Sequence, residues 1–152
     1  MRKADLADCE TETGMDIEEI IGNFELLEEW DDRYRYLIEL GRSLEPLPQA
    51  AYSEANKVRG CASQVWLETK AAPGPSGERV ILYRGDSDAH IVKGLVALAL
   101  SLYSGRTPQT ILATDAQPVF ARLGLAQHLT PQRANGLRAM VDRIKNEARA
   151  LA

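Results

Sequence analysis

Two cysteines, Cys9 and Cys61, are the only thiols in the chain, and their settings differ. Cys61 directly follows Gly60 and precedes the alternating stretch Val65-Trp66-Leu67-Glu68-Thr69-Lys70, which has the two-residue period of a β-strand. A glycine at the mouth of a strand permits a tight turn or a positive φ, which projects the next side chain from the end of the sheet. Arg59 lies two residues before the thiol. If close in space, its charge would lower the thiol pKa and favour the nucleophilic thiolate. Turn, glycine and cation together describe a presented thiol. The competing reading is an inert one, since free cysteines commonly pack as small buried hydrophobes. The residues alone leave both readings open. Cys9 sits among acids and reads as an idle exposed thiol.

Other chemistries are easier to set aside. Two cysteines make no disulfide framework and fall short of a four-cysteine zinc site. The formal net charge of −4 argues against a nucleic-acid binder, which usually shows a basic face. Residues 1–32 hold twelve Asp and Glu, from Asp5 to Asp32, against Arg2 and Lys3, so the rest of the chain is net basic. Residues 1–14 read as an acidic, poorly ordered tail, and residues 15–152 as one domain long enough to bury a core. Asp5, Asp8, Glu10 and Glu12 do not fit a signal peptide. The longest apolar run, Ile91 to Tyr103, contains Lys93 and is about half a membrane span. The expectation is a cytoplasmic protein with reduced thiols and no membrane or nucleic-acid partner.

The elements that must position Cys61 follow from periodicity. Asp16-x-x-Glu19 resembles a capping box, and Ile17, Ile20, Ile21, Phe24 and Leu27 mark one face of a helix. Trp30-Asp31-Asp32 offers new N-caps for a second helix carrying Tyr34, Leu37, Ile38 and Leu40, with Gly41 as its stop. The strand from Val65 pairs antiparallel with Val80-Ile81-Leu82-Tyr83 across the loop Ala72-Pro73-Gly74-Pro75-Ser76-Gly77. Leu95 to Leu100 is apolar all round, suiting a helix buried against the sheet, with Asp88 as its N-cap and Gly105 as its end. Thr107-Pro108 and Thr130-Pro131 each place a cap before a proline at the first helical position. In the last helix Leu137, Met140, Val141, Ile144, Ala148 and Leu151 form one stripe. Arg133, in its first turn, is poorly placed for the helix dipole and therefore calls for a specific partner. His128 reads as a satisfied structural histidine and Trp66 as packing. The fold class is α+β: a small antiparallel sheet packed against helices.

The segment Val58-Arg59-Gly60-Cys61-Ala62-Ser63-Gln64-Val65-Trp66 resembles the cysteine motif of the SufE family of sulfur acceptors, whose pattern is V-x-G-C-x-S-x-V-W. Tyr36 to Gly41, Gly85 to Ala89, Ile91 to Leu95 and Gln127 to Pro131 are similar to further family segments in the same order, so the resemblance runs from about Ile17 to the C-terminus. It favours the presented-thiol reading. It implies that Cys61 takes persulfide sulfur from a pyridoxal-phosphate cysteine desulfurase, stimulates that enzyme, and passes the sulfur to an iron–sulfur cluster scaffold. Gly60 would be the hinge of a loop that alternates between sheltered and extended poses, and Arg59 a thiolate stabiliser. Asp88 and Arg133 would lie toward the desulfurase. The resemblance implies no cofactor on this chain, the pyridoxal phosphate being the partner's, and leaves a weak homodimer open.

Three other functions compete. A cluster scaffold needs about four ligands, which one core cysteine does not supply. A stand-alone cysteine enzyme needs a base or an oxyanion site beside the nucleophile, and none is readable. A sister desulfurase system delivering sulfur to a pathway other than clusters fits the same residues.

Overall fold

The computed structural model describes residues 16–61 and 63–152. Asp16 opens α1 (Ile17–Leu26) by accepting from the Glu19 amide at 2.9 Å, satisfying one of the donors that a first turn leaves free. Ile17, Ile20, Ile21 and Phe24 are buried along one side, as their spacing requires. The next helix, α2 (Trp30–Arg42), starts earlier than expected. Glu29 takes the cap position without a side-chain bond, and Asp31 and Asp32 lie in the first turn, where acids complement the dipole.

Gly41 does not end α2. It is buried inside the helix, where a Cβ would lie 2.7 Å from the Gly94 nitrogen. A Cβ on Gly94 would in turn collide with the Leu37 carbonyl. The two glycines thus let α2 meet α3 (His90–Tyr103) backbone to backbone. From Gly94 to Tyr103 every residue of α3 is buried, the central helix that its all-round apolar sequence demands.

The strands β1 (Val65–Pro73) and β2 (Arg79–Ser87) pair antiparallel, from Val65 opposite Ser87 to Pro73 opposite Arg79. Both run longer than their sequence patterns, and β1 takes in Ala72 and Pro73 of the expected loop. Val65, Leu67, Ile81 and Tyr83 are buried on one face, while Glu68 and Arg84 pair directly across the other, Nε to Oε1 at 2.9 Å. Each outer edge of the hairpin is partly covered. Leu67 N donates to Asn56 O and Val58 N to Val65 O, each at 2.8 Å, laying residues 56–58 beside β1. On the far side Ile81 N donates to Arg106 O at 2.9 Å, and Gly105 N donates to Ile81 O at 2.8 Å.

Three short helices follow: α4 (Pro108–Ala113), α5 (Gln117–Arg122) and α6 (Leu125–His128). The last helix, α7 (Pro131–Leu151), buries Gly136, Leu137, Met140, Ile144 and Ala148. Thr107 and Thr130 cap α4 and α7 as expected, each accepting from the amide three residues on at 3.2 Å, with proline following. The buried Tyr83 of β2 donates its hydroxyl to the Ile144 carbonyl at 2.7 Å, so α7 is tied to the sheet at its middle. The architecture is the α+β arrangement read from the sequence.

Candidate functional site

The bond from Val58 to Val65 closes a loop, residues 59–64, at the start of β1. Its turn depends on Gly60, whose φ of +93° lies in the left-handed region that side chains disfavour. A side chain would also be crowded, because a Cβ on Gly60 would lie 3.1 Å from the Ala139 Cβ of α7. The next residue turns its thiol toward α7. Cys61 Sγ lies 3.5 Å from the Gly136 carbonyl, the thiol donating weakly. The thiol packs directly over Gly136, where a Cβ would sit 3.4 Å from the sulfur.

Cys61 lines a cavity of about 30 Å³ together with the apolar Val92, Leu95, Leu137 and Met140 and the polar Ser63, Gln132 and Arg133. That volume holds an atom or two of water size. A wider, more polar groove of about 270 Å³ is lined by Lys57, Arg59, Gly60, Ser63, Gln64 and again Cys61. The thiol therefore borders both a closed apolar space and an open polar one.

Burial pushes the Cys61 thiol pKa above its ordinary value near 9.0, because desolvation penalises the thiolate. The resting group is a neutral thiol. The expected lowering by Arg59 is not met in this arrangement. Arg59 is exposed, pairs with no carboxylate among the described residues, and does not contribute to the shift. Asp88 also departs from its expected role. Ala89 holds the cap position of α3, and Asp88 Oδ1 instead accepts from Gln64 N at 3.1 Å and Oδ2 from Gln64 Nε2 at 3.4 Å. The reason is register: β2 ends with Ser87 opposite Val65, which sets Asp88 against Gln64, the last residue of the loop. Arg133 shares the cavity with Cys61 and has no carboxylate partner among the described residues.

The structure thus gathers Cys61, Gly60 and Arg133 at one place, sets Asp88 at the loop's end, and leaves Arg59 facing the groove. His128 is structural, stacked on Trp30 with ring centroids 4.4 Å apart and its Nδ1 3.0 Å from the Gly124 carbonyl. Trp66 packs edge-on against Tyr52 at 5.0 Å. Beneath them the buried Asp86 accepts from Tyr52 Oη at 2.6 Å and lies 3.3 Å from Lys93 Nζ. The bond to Asp86 raises the Tyr52 pKa. Sequence reasoning missed Gly136 and Arg143, which projects from α7 onto the segment leading into the loop. A glycine well inside a strongly patterned helix was the available signal for the first. Cys9 and the tail 1–14 lie outside the described residues. Among the described residues no group of three His, Cys, Asp or Glu is placed to hold a metal, and no helix is long and apolar enough to cross a membrane.

Residues 18–148 match the family model described as the SufE, Fe–S metabolism associated domain. An uncharacterised SufE-like protein of Rhizobium meliloti is 50% identical over 132 residues, covering 87% of this chain and 94% of that one. One of Rhizobium etli is 48% identical over 136 residues, covering 90% and 91%. The solution structure of a hypothetical protein from Thermus thermophilus superposes with a TM-score of 0.70 at 20% identity, over 88% of this chain and 93% of that one. This last likeness concerns the fold alone.

Proposed function

Because the chain belongs to the SufE family of Fe–S metabolism associated proteins, we propose that Cys61 accepts sulfur from the persulfide of a cysteine desulfurase and hands it to an iron–sulfur cluster scaffold. In the first step the Cys61 thiolate attacks the terminal sulfur of the donor's persulfide. The donor's S–S bond breaks as the new one forms on Cys61. The donor leaves as a thiolate, and the proton given up by Cys61 goes to solvent or to that leaving group. No electrons are gained or lost overall. The second transfer repeats the exchange with Cys61 as leaving group.

The observation that supports this reading most directly is the double exposure of Cys61. A raised pKa suits storage, since a neutral, half-buried thiol resists stray electrophiles. Transfer then requires the loop to leave the cavity, where the thiol regains water and its thiolate fraction rises. Gly60, already at positive φ, is the hinge for that movement, and Arg59 reaches the sulfur only in the extended pose. After loading, the terminal sulfur fits the small apolar cavity. Arg133 and Asp88 flank the loop where a desulfurase would dock. Stimulation of the desulfurase follows from removing its persulfide after each turnover.

Intact mass after incubation with a cysteine desulfurase and free cysteine tests the proposal. The parent gains one sulfur mass or more and Cys61→Ser gains none. A parent that stays unmodified beside an active cognate desulfurase would overturn it.

A further inference from the structure

One stripe of α7 handles the cysteine loop at two heights. Gly136 lies under Cys61, whose thiol donates weakly to its carbonyl, and Ala139 lies under Gly60. One and two turns further on stand Arg143 and Glu147, on the same side of the helix by their spacing. Toward the root of the loop Arg143 holds backbone. Its Nη1 donates to the Lys57 carbonyl at 3.0 Å and its Nη2 to the Ala55 carbonyl at 2.6 Å, while its Nε donates to Glu147 at 3.1 Å.

The pattern of carbonyls explains the fork. A turn over residues 54–56 leads into the bridge of Lys57 with Trp66; Asn56 O accepts from Leu67 N of β1, while Ala55 O and Lys57 O accept from Arg143. These two carbonyls gain no partner from the sheet. A planar guanidinium spans such a pair, and charge-assisted bonds of this kind are about twice as strong as neutral ones. A lysine offers only a point charge. Arg143 is itself three-quarters buried and is oriented by Glu147, so the clamp is stiff. At the tip of the loop α7 offers close packing and one weak thiol bond, and at its root it offers a charged anchor.

We infer that Arg143 is a positioning residue that fixes the N-terminal root of the Cys61 loop, confining movement to residues 59–64 and so setting where the thiol emerges. The part of this inference that concerns sulfur transfer rests on the function proposed above; the anchoring itself does not. With the root fixed, Cys61 swings about Gly60 on a short radius and returns to the same cavity. With the root free, residues 55–58 peel from β1 and the thiol wanders.

The test uses the full chain carrying Cys9→Ser, so that Cys61 is the single reporter, with Arg143→Met and Arg143→Lys added separately. Alkylation of native protein by iodoacetamide is expected to be about tenfold faster in Arg143→Met, the loss of one charge-assisted bond's worth of closure. Arg143→Lys falls between, because lysine satisfies one carbonyl but not both. Amide exchange is expected to quicken at Val58, whose bond closes the loop, and to stay unchanged at Tyr83. Sulfur uptake from a desulfurase persulfide at saturating acceptor drops several-fold in Arg143→Met although its thiol is more accessible. Alkylation within twofold of the parent, or acceleration that lysine does not reduce, would overturn the inference. So would exchange that rises equally at Tyr83, which marks general loosening. If the parent takes up no sulfur at all, the proposed function fails while alkylation and exchange still decide the role of Arg143.

Discussion

Gly136→Ala should make the protein more stable and a worse keeper of sulfur. Gly136 lies within α7 at helical φ, where alanine is favoured over glycine by about 1 kcal/mol because the unfolded chain loses less freedom on folding. The new methyl would lie 3.4 Å from Cys61 Sγ, 3.6 Å from its Cα and 3.7 Å from its Cβ, ordinary contacts that the resting thiol tolerates. In a domain of this size the gain corresponds to a rise in Tm of about 3 °C. The loaded form is different. A cavity of about 30 Å³ has room for one added sulfur, and the methyl occupies part of it. Forcing one more group into a filled interior costs about 1–3 kcal/mol, so the persulfide spends at least about fivefold more time outside. The assay pairs calorimetry on the thiol form with the rate at which cyanide strips sulfur from the loaded form, both in the Cys9→Ser background. The expected result is a higher Tm together with cyanolysis faster by about fivefold or more. A fall in Tm of more than about 2 °C would refute the helix argument, and an unchanged cyanolysis rate would refute the sheltering argument.

Other consequences follow from the same geometry. Because burial raises the Cys61 pKa, its alkylation rate should keep climbing above pH 9 and show no plateau there. The neutral thiol's contribution to stability is fully present below the unfolded pKa and is lost as pH rises through the folded one. The Tm of the parent should therefore fall relative to Cys61→Ser only in that alkaline window, and equal slopes for the two proteins would contradict it. Thr130→Ala removes the acceptor of the Arg133 amide and should cost about 1 kcal/mol, a fall in Tm of about 3 °C. Thr130→Ser should recover most of it.

The fold was legible wherever a local rule and the core agreed. The stripes of α1 and α7, the Thr-Pro starts of α4 and α7 and the antiparallel hairpin all read directly, because periodicity and capping are local properties. Gly41 was misread because a glycine near a helix end and a glycine under a crossing helix look alike in one dimension. Only the meeting with Gly94 tells them apart. Asp88 was misread for a similar reason: the cap it seemed to offer α3 is given to Gln64, which the strand register brings beside it. At the site, the Gly60-Cys61 turn was visible as sequence. The cavity, Gly136 and Arg143 were not, since α7 meets the loop across a separation of about eighty residues, which no local pattern records.

A sheet of two strands is all edge, and an uncovered edge invites pairing with another chain. Here residues 56–58 cover the start of β1 and residues 105–106 cover β2 at Ile81, and neither cover includes the cysteine loop. A carrier that opens and closes many times could expose adhesive backbone at every cycle. Under the proposed function the cysteine loop would open while these covers stay in place, so the edge contacts at Val65, Leu67 and Ile81 would be kept through each cycle.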